Sequence, residues 1–427
     1  MLIRKTSLIQ PGESQLYGTV AIALSFFVFA YSARFGQVSI LAYYGLWLPL
    51  VLVDYRRVLG NYSRYLWILG FAIFACISVF WSAAPSVTAR ASVQYLSHVV
   101  CALIAMRTID IRTLVRGGIA GVGLVLVYSL LFGEYHLDPL DGTVSFVGAF
   151  ASKNQLGFYA SLGIYFAFSA VVLLGERRLW LFAAGAVGAI AGYSLLASQS
   201  ATSVLTTVVI IGVGIGMRVL TMLSPKNRKS LFLAVLVFGV VVAVAGVYGG
   251  GIDLVLGAFG KDSTLTGRTY LWQQGMQAAT ASPFVGMGYQ AYWVQGFSEA
   301  ERLWEEFYIG TRSGFHFHNT FIEAMVETGG TGLFLLCLVL MATVVGYLTR
   351  ILSEQRDLES AVLFGIVMLL LVRAFVEIDI MNPYHVGSFL LYFSAGKLTV
   401  ARRKLPAAAW QPVDRQHPGQ FRVRLAK

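Results

Sequence analysis

The chain has 427 residues, 57% of them hydrophobic and only 12% charged, and its mean hydropathy is +0.70. Such a composition excludes an ordinary soluble globular protein and puts the chain in the membrane class. The formal net charge of +11 would suit nucleic acid, but the basic residues are gathered in alternate loops between apolar runs, which makes them a signal of membrane orientation.

MLIRKTSLIQPGES opens the chain as a polar, basic lead-in. The apolar run behind it is long enough to remain a membrane helix, so no cleavable signal peptide is expected. Twelve runs follow in order, at 17–33, 38–53, 65–81, 91–106, 113–132, 156–174, 179–197, 203–222, 231–250, 329–349, 361–376 and 384–398. A helix rises about 1.5 Å per residue, so runs of about 20 residues cross a hydrocarbon core. They are too long and too poor in alternation for barrel strands. The expected fold class is an all-α integral membrane protein with about 12 transmembrane helices.

Three features inside the runs stand out. Cys76, Cys101 and Cys337 have no paired spacing and read as small apolar packing residues. In the fourth run Arg90, Gln94 and His98 recur at i, i+4 and i+8, a polar stripe suited either to lining a cleft or to joining helices. Arg373 lies late in the eleventh run. An ionisable residue at that depth is a functional candidate, or else a snorkel to the surface, with Glu377 and Asp379 just beyond it as partners.

The loops divide by charge. DYRRVLGNYSR (54–64), RTIDIRTLVR (107–116), GERR (175–178), SPKNRKS (224–230), TRILSEQR (349–356), the N-terminus and the tail from 401 are rich in Lys and Arg, and the intervening loops are not. The positive-inside rule puts both termini in the cytoplasm and the other loops outside. Anionic lipid accounts for the charge, and no nucleic acid is required. The chain then divides into helices one to nine over 1–251, a large outer loop over 252–328, helices ten to twelve over 329–398, and a basic cytoplasmic tail over 399–427.

The large loop is rich in aromatic residues, among them Tyr270, Trp272, Tyr292, Trp293 and Trp304. It should therefore fold on the membrane surface as short amphipathic helices. Gly267 and Arg268 open one helix that Pro283 stops. In HNTFIEAMVETGG, Thr320 and Glu323 have capping-box spacing, and Gly329–Gly330 should end a short helix. His318 and Asn319 would stand just ahead of that helix, where free backbone N–H groups favour an anion. Taken alone, a loop histidine is more often structural than catalytic, and Lys153 and Asn154 at the start of the sixth run read as an interface anchor and a helix cap.

GRTYLWQQGMQAATASPFVGMGYQAY (267–292) followed by HFHNTFIEAMVETGGTGLFLL (316–336) resembles the signature of the O-antigen ligase and polymerase family. The shared pattern is a Gly-Arg-Thr and Trp helix, a Pro-x-x-G-x-G turn, then His-Asn and a glutamate-bearing helix closing with Gly. GAFASKNQLG (148–157) is similar to a second family segment, in the Lys–Asn form associated with exopolysaccharide polymerases. The resemblance implies a GT-C-like membrane glycosyltransferase that takes glycan from an undecaprenyl-diphosphate carrier and works without a metal ion, a nucleotide-sugar or another cofactor. The acceptor is the next lipid-linked repeat in a polymerase and lipid A–core in a ligase. One departure is Gln199, where ligases often carry an arginine, and it favours the polymerase.

Chemistry then assigns roles within the resemblance. The leaving diphosphate needs a cation with planar, bidentate donors, and Arg268 is the first candidate. The acceptor hydroxyl needs a base, and histidine as a residue type suits that role, which makes His318 the candidate. Lys153, Asn154, Arg312, His316, Asn319 and Arg373 are candidate substrate-binding residues, with His316 an alternative base. The implied setting is the bacterial inner membrane with the site on the periplasmic face. Partners are the lipid-linked oligosaccharide and the bilayer, with other polysaccharide assembly and export proteins as further candidates. A flippase for lipid-linked sugars is a third reading, disfavoured because no internal repeat is visible and the largest outer loop is lopsided.

Overall fold

A computed structural model describes residues 5–60, 62–137, 142, 144–248, 267–353 and 357–400. The expected basic tail from 401 and the first part of the large loop, 252–266, lie outside the described residues. Among the described residues nine helices are long and apolar enough to cross a membrane. The chain is an all-α integral membrane protein.

The helices are α1 (Gln15–Trp47), α2 (Pro49–Val53), α3 (Tyr55–Leu59), α4 (Leu66–Ile77), α5 (Pro85–Thr108), α6 (Ile111–Phe132), α7 (Lys153–Phe168), α8 (Leu179–Ala197), α9 (Ala201–Met222) and α10 (Pro225–Tyr248). After the large loop's α11 (Arg268–Ala279) and α12 (Ser298–Glu306) come α13 (Thr320–Ser353), α14 (Leu358–Ala374) and α15 (Val386–Thr399). Each expected apolar run falls on a helix. The first two share α1, which breaks at Gly36 (φ 64°, ψ −154°), a conformation open to glycine. Its arms fold back on each other: Trp47 Nε1 donates to Ser25 Oγ at 3.0 Å, and the rings of Phe29 and Tyr43 lie 4.9 Å apart. A count of twelve spans requires this hairpin to count twice and the shorter α14 and α15 to cross as well.

The basic turns meet at one end of the bundle. Arg107 donates to Arg57 O, Arg112 and Arg116 pair with the buried Glu176, Arg228 donates to Ile351 O, and Lys397 donates to Ile109 O. These cations close helix C-termini, where carbonyls lack intrahelical partners. Buried hydroxyls within the bundle are satisfied by carbonyls one turn earlier, as for Ser25, Ser161 and Thr343. The Arg90–Gln94–His98 stripe resolves into glue at its deepest member. His98 is fully buried, with Nδ1 3.1 Å from Tyr43 OH and Nε2 3.2 Å from His385 O.

The opposite end carries what the apolar pattern does not describe. The loop after α6 contains an antiparallel hairpin, β1 (Glu134–Leu137) with β2 (Val144–Gly148), an addition to an otherwise helical chain. The described part of the large loop has a core of its own: Leu271, Tyr292, Leu303, Trp304, Phe307 and Phe317. α12 supplies it with an apolar face of Ala300, Leu303 and Trp304, the amphipathic helix expected there.

This loop core is clasped to the bundle through the 283–288 turn. Backbone bonds run from Met287 N to Val326 O, Gly288 N to Glu327 O, Gly330 N to Pro283 O, Thr331 N to Phe284 O and Ala83 N to Met287 O. As expected, the short first helix of α13 ends at Gly329 (φ 62°, ψ −173°), and a second helix follows directly to Ser353; the turn supplies the partners that the bent backbone lacks. A Cβ on Gly329 would stand 2.3 Å from the Phe284 carbonyl carbon, and one on Gly286 2.4 Å from Glu327 backbone. Gly329→Ala is expected to destabilise the protein by about 2–4 kcal/mol through strain and overpacking. Gly330→Ala, whose Cβ meets Pro283 O at an ordinary 3.4 Å, should shift stability by less than about 1 kcal/mol. Thermal unfolding in detergent distinguishes the two.

Candidate active site

α14 ends at Ala374, and the connection to α15 brings Glu377 under the large loop. Glu377 is 5% exposed, so its carboxylate requires partners, and three chain segments provide them. Asn154 Nδ2, in the first turn of α7, donates to Oε1 at 2.8 Å, and an Arg268 guanidinium nitrogen lies 3.1 Å from the same oxygen. His318 Nδ1 is 3.5 Å from Oε1, and His316 Nε2 is 3.8 Å from Oε2. Burial alone would raise the Glu377 carboxyl, but the His318 imidazole, Arg268 and His316 outweigh it and hold the group well below the usual carboxylate range.

Each contributor is placed by a helix start. Ser152 caps α7, which leaves the Asn154 side chain free of that role. Ser200 caps α9 and also donates to Asn154 Oδ1 at 2.9 Å, fixing the amide so that its NH₂ faces Glu377. Arg268 is the first residue of α11, behind Gly267 at φ 81°, and reaches Thr202 Oγ1 at 3.5 Å besides Glu377. Asn319 caps α13, its Oδ1 accepting from Phe321 N and Ile322 N at 3.0 and 3.2 Å. The expected Thr320–Glu323 capping box is therefore not formed, and these N–H groups are not open to an anion. Thr320 instead donates to Glu377 O at 2.6 Å, and Asn319 Nδ2 donates to Phe375 O at 3.0 Å.

Of the sequence-derived candidates, His318, Arg268, Asn154 and His316 meet at Glu377. Lys153 is partly buried at the first position of α7 beside Asn154. Asn319 acts on the backbone that carries Glu377. Arg312 turns elsewhere, pairing with Glu301 at 3.0 Å and Glu305 at 3.9 Å on α12. Arg373 is 1% exposed: it pairs with Asp379, donates to Ser203 Oγ at 3.3 Å and lies 4.2 Å from the Phe158 ring centroid. It braces the 375–379 turn and does not open onto a substrate surface. Glu377, read from sequence only as a partner for Arg373, proves to be the centre. Its signal was a carboxylate just past the end of an apolar run.

The two histidines are held differently. His316 Nδ1 accepts the His318 backbone N–H at 3.0 Å, so its proton sits on Nε2, facing Glu377. Burial and the neighbouring His318 push His316 down to about 3, which keeps it neutral. His318 stands in the left-handed region (φ 51°), uncommon for a residue with a Cβ and a mark of constraint. Its Nδ1 is buried and faces Glu377 Oε1 at 3.5 Å. His316, His318 and Glu377 also place three ligand-type atoms within 4.8 Å, a donor set of zinc-binding kind. The protonated His316 Nε2 and the adjacent Arg268 both oppose that use.

The chain matches the sequence model of the O-antigen ligase over residues 186–337, a segment that includes Arg268, His316 and His318. It belongs to the O-antigen ligase and polymerase family of membrane proteins. The exopolysaccharide production protein ExoQ of Rhizobium meliloti (strain 1021) is 72% identical over 412 residues, covering 96% of this chain and 95% of that protein.

Two outcomes follow for stability. Asp379→Asn leaves Arg373 buried without its counter-charge and should cost about 3–5 kcal/mol, whereas Arg373→Met with Asp379→Leu should recover most of the loss; thermal unfolding of the three proteins reads this directly. His316 binds its proton less readily folded (about 3) than unfolded (about 6.5), so the unfolded state takes up the proton first as pH falls. Its contribution is full above the unfolded value and is lost from there down toward the folded one. The unfolding midpoint should decline across that window, and His316→Asn should flatten the decline.

Proposed function

We propose that this protein is a polysaccharide polymerase that moves a growing glycan from an undecaprenyl-diphosphate carrier to a hydroxyl of the next lipid-linked repeat in exopolysaccharide synthesis. The observation that carries this reading is the convergence of Arg268 and His318 on the Glu377 carboxylate, a cation and an oriented imidazole at one point. The name of the 72% identical relative, an exopolysaccharide production protein, supports the product class. The basic turns face the cytoplasm, and the cluster faces the periplasm of a bacterial inner membrane.

In the reaction the acceptor hydroxyl oxygen bonds to the anomeric carbon as the bond from that carbon to the phosphate oxygen breaks. His318 Nε2 takes the hydroxyl proton. Glu377, facing Nδ1, orients the ring and stabilises the imidazolium that forms, which is the division of labour in a carboxylate–histidine pair. The electron pair leaves with the diphosphate. Arg268 commits two of its five N–H donors within the described residues and presents the others to that oxygen, with Lys153 adding charge beside it. His316, neutral and with Nδ1 taken by the His318 N–H, faces the carboxylate from its other side.

The test is purified protein in detergent with undecaprenyl-diphosphate-linked repeats from the native host and no other acceptor, with product length read on a gel. A ladder is expected. His318→Ala should slow its growth by about 10²–10⁴-fold, and Arg268→Ala by at least as much as an oxyanion donor is worth, about 10²–10³-fold. His316→Asn should keep the shape of the pH–rate profile. Transfer only on addition of lipid A–core would make the protein a ligase, and normal ladders from His318→Ala would overturn the assignment of the base.

A further inference from the structure

The histidines flank Phe317, and nothing above explains what holds the arch they form. Glu323, in the first turn of α13, is 3% exposed and has a donor on each oxygen. Phe317 N–H donates to Oε2 at 2.8 Å, and Trp293 Nε1–H donates to Oε1 at 2.9 Å. The Phe317 ring is fully buried, 4.9 Å from the ring centroids of both Tyr292 and Trp293. One carboxylate thus fastens the middle of the arch to the loop core, while the residues on either side turn to Glu377.

We infer that Glu323 is a positioning residue for the transfer reaction, acting through the Phe317 N–H to hold His318 in its left-handed conformation against Glu377. The inference rests on the polymerase reading above. Two donors converge on Glu323, so two acceptor oxygens are needed. A glutamine has one, and its NH₂ would face an N–H. A loop able to slide along α13 would let His318 relax from φ 51°, and a displacement of about 1 Å at a reacting group costs on the order of 10²-fold in rate. Glu327 is buried one turn further along the same helix, and two neighbouring buried carboxyls do not both ionise, so a neutral residue at 323 need not unfold the protein.

The experiment is chain-extension kinetics with the full-length protein and native lipid-linked repeats. Glu323→Gln should lower kcat by about 10- to 100-fold with KM changed less than about threefold, because the base is misplaced and the diphosphate site is intact. Adding Trp293→Phe removes the donor that the glutamine NH₂ would confront. The double variant should recover most of the rate, its side-chain oxygen again accepting from Phe317 N–H. Trp293→Phe alone should lose less than Glu323→Gln. Wild-type kcat in Glu323→Gln overturns the inference, as does a loss that Trp293→Phe fails to rescue. If the wild-type protein builds no ladder, the polymerase reading itself has failed. A wild-type ladder that depends on His318 but not on Glu323 defeats only this inference.

Discussion

A single buried carboxylate, Glu377, sets the terms for the rest of the outer half of the molecule. An isolated ionised carboxylate in a protein interior is strongly unfavourable and persists only when neutralised and hydrogen-bonded. Here the neutralising groups come from segments far apart in sequence: Asn154 from α7, Arg268 from α11, and two imidazoles from the stretch before α13. The first turns of α7, α9, α11 and α13 therefore point toward one spot. Their dipoles add to the positive potential that offsets Glu377.

Holding that carboxylate in place requires a rigid turn, and a second charge pair supplies it. Arg373 and Asp379 flank Glu377 four residues before it and two after. Their pairing closes the turn, while Glu377 N–H bonds back to Arg373 O at 2.7 Å. Phe158 packs its ring against Arg373 on one side and against His385 at 5.8 Å, nearly parallel, on the other. Beneath the turn, Tyr95 OH donates to Ile380 O at 2.7 Å, and Tyr289 OH donates to Met381 O. The bundle thus holds the backbone of 373–385 at several points, and the large loop rests on that platform through Arg268, Tyr289 and Gln290.

Much of this was legible in the sequence where one-dimensional pattern carries the physics. Apolar runs became helices, alternation of basic loops became one charged end, and Gly267–Arg268 began a helix as expected. His318 and Arg268 were marked by chemistry that the rest of the loop did not need. What stayed hidden depended on tertiary partners. Gly329–Gly330 ended a helix as read, but nothing local says that a turn forty residues earlier will satisfy the bent backbone. Thr320 and Glu323 had capping-box spacing, but Asn319 won the cap and both side chains were taken by distant groups. Arg312, near the histidines in sequence, was drawn away by Glu301 and Glu305 on an amphipathic helix whose apolar face had to turn inward.

The segment that matches the O-antigen ligase, residues 186–337, contains the cation and both imidazoles but not the carboxylate that organises them. Asn154 lies before it, and Arg373, Glu377 and Asp379 lie after it. Within that segment alone, Arg268 would have Thr202 for a partner, and His318 would have no acid facing Nδ1. Its strained backbone would lack the tie from Asn319 and Thr320 to residues 375–377. The reactive arrangement is therefore a property of the whole helical chain. The first turn of α7 and the α14–α15 connection complete it, and the 96% coverage of this chain by its exopolysaccharide-production relative extends over both.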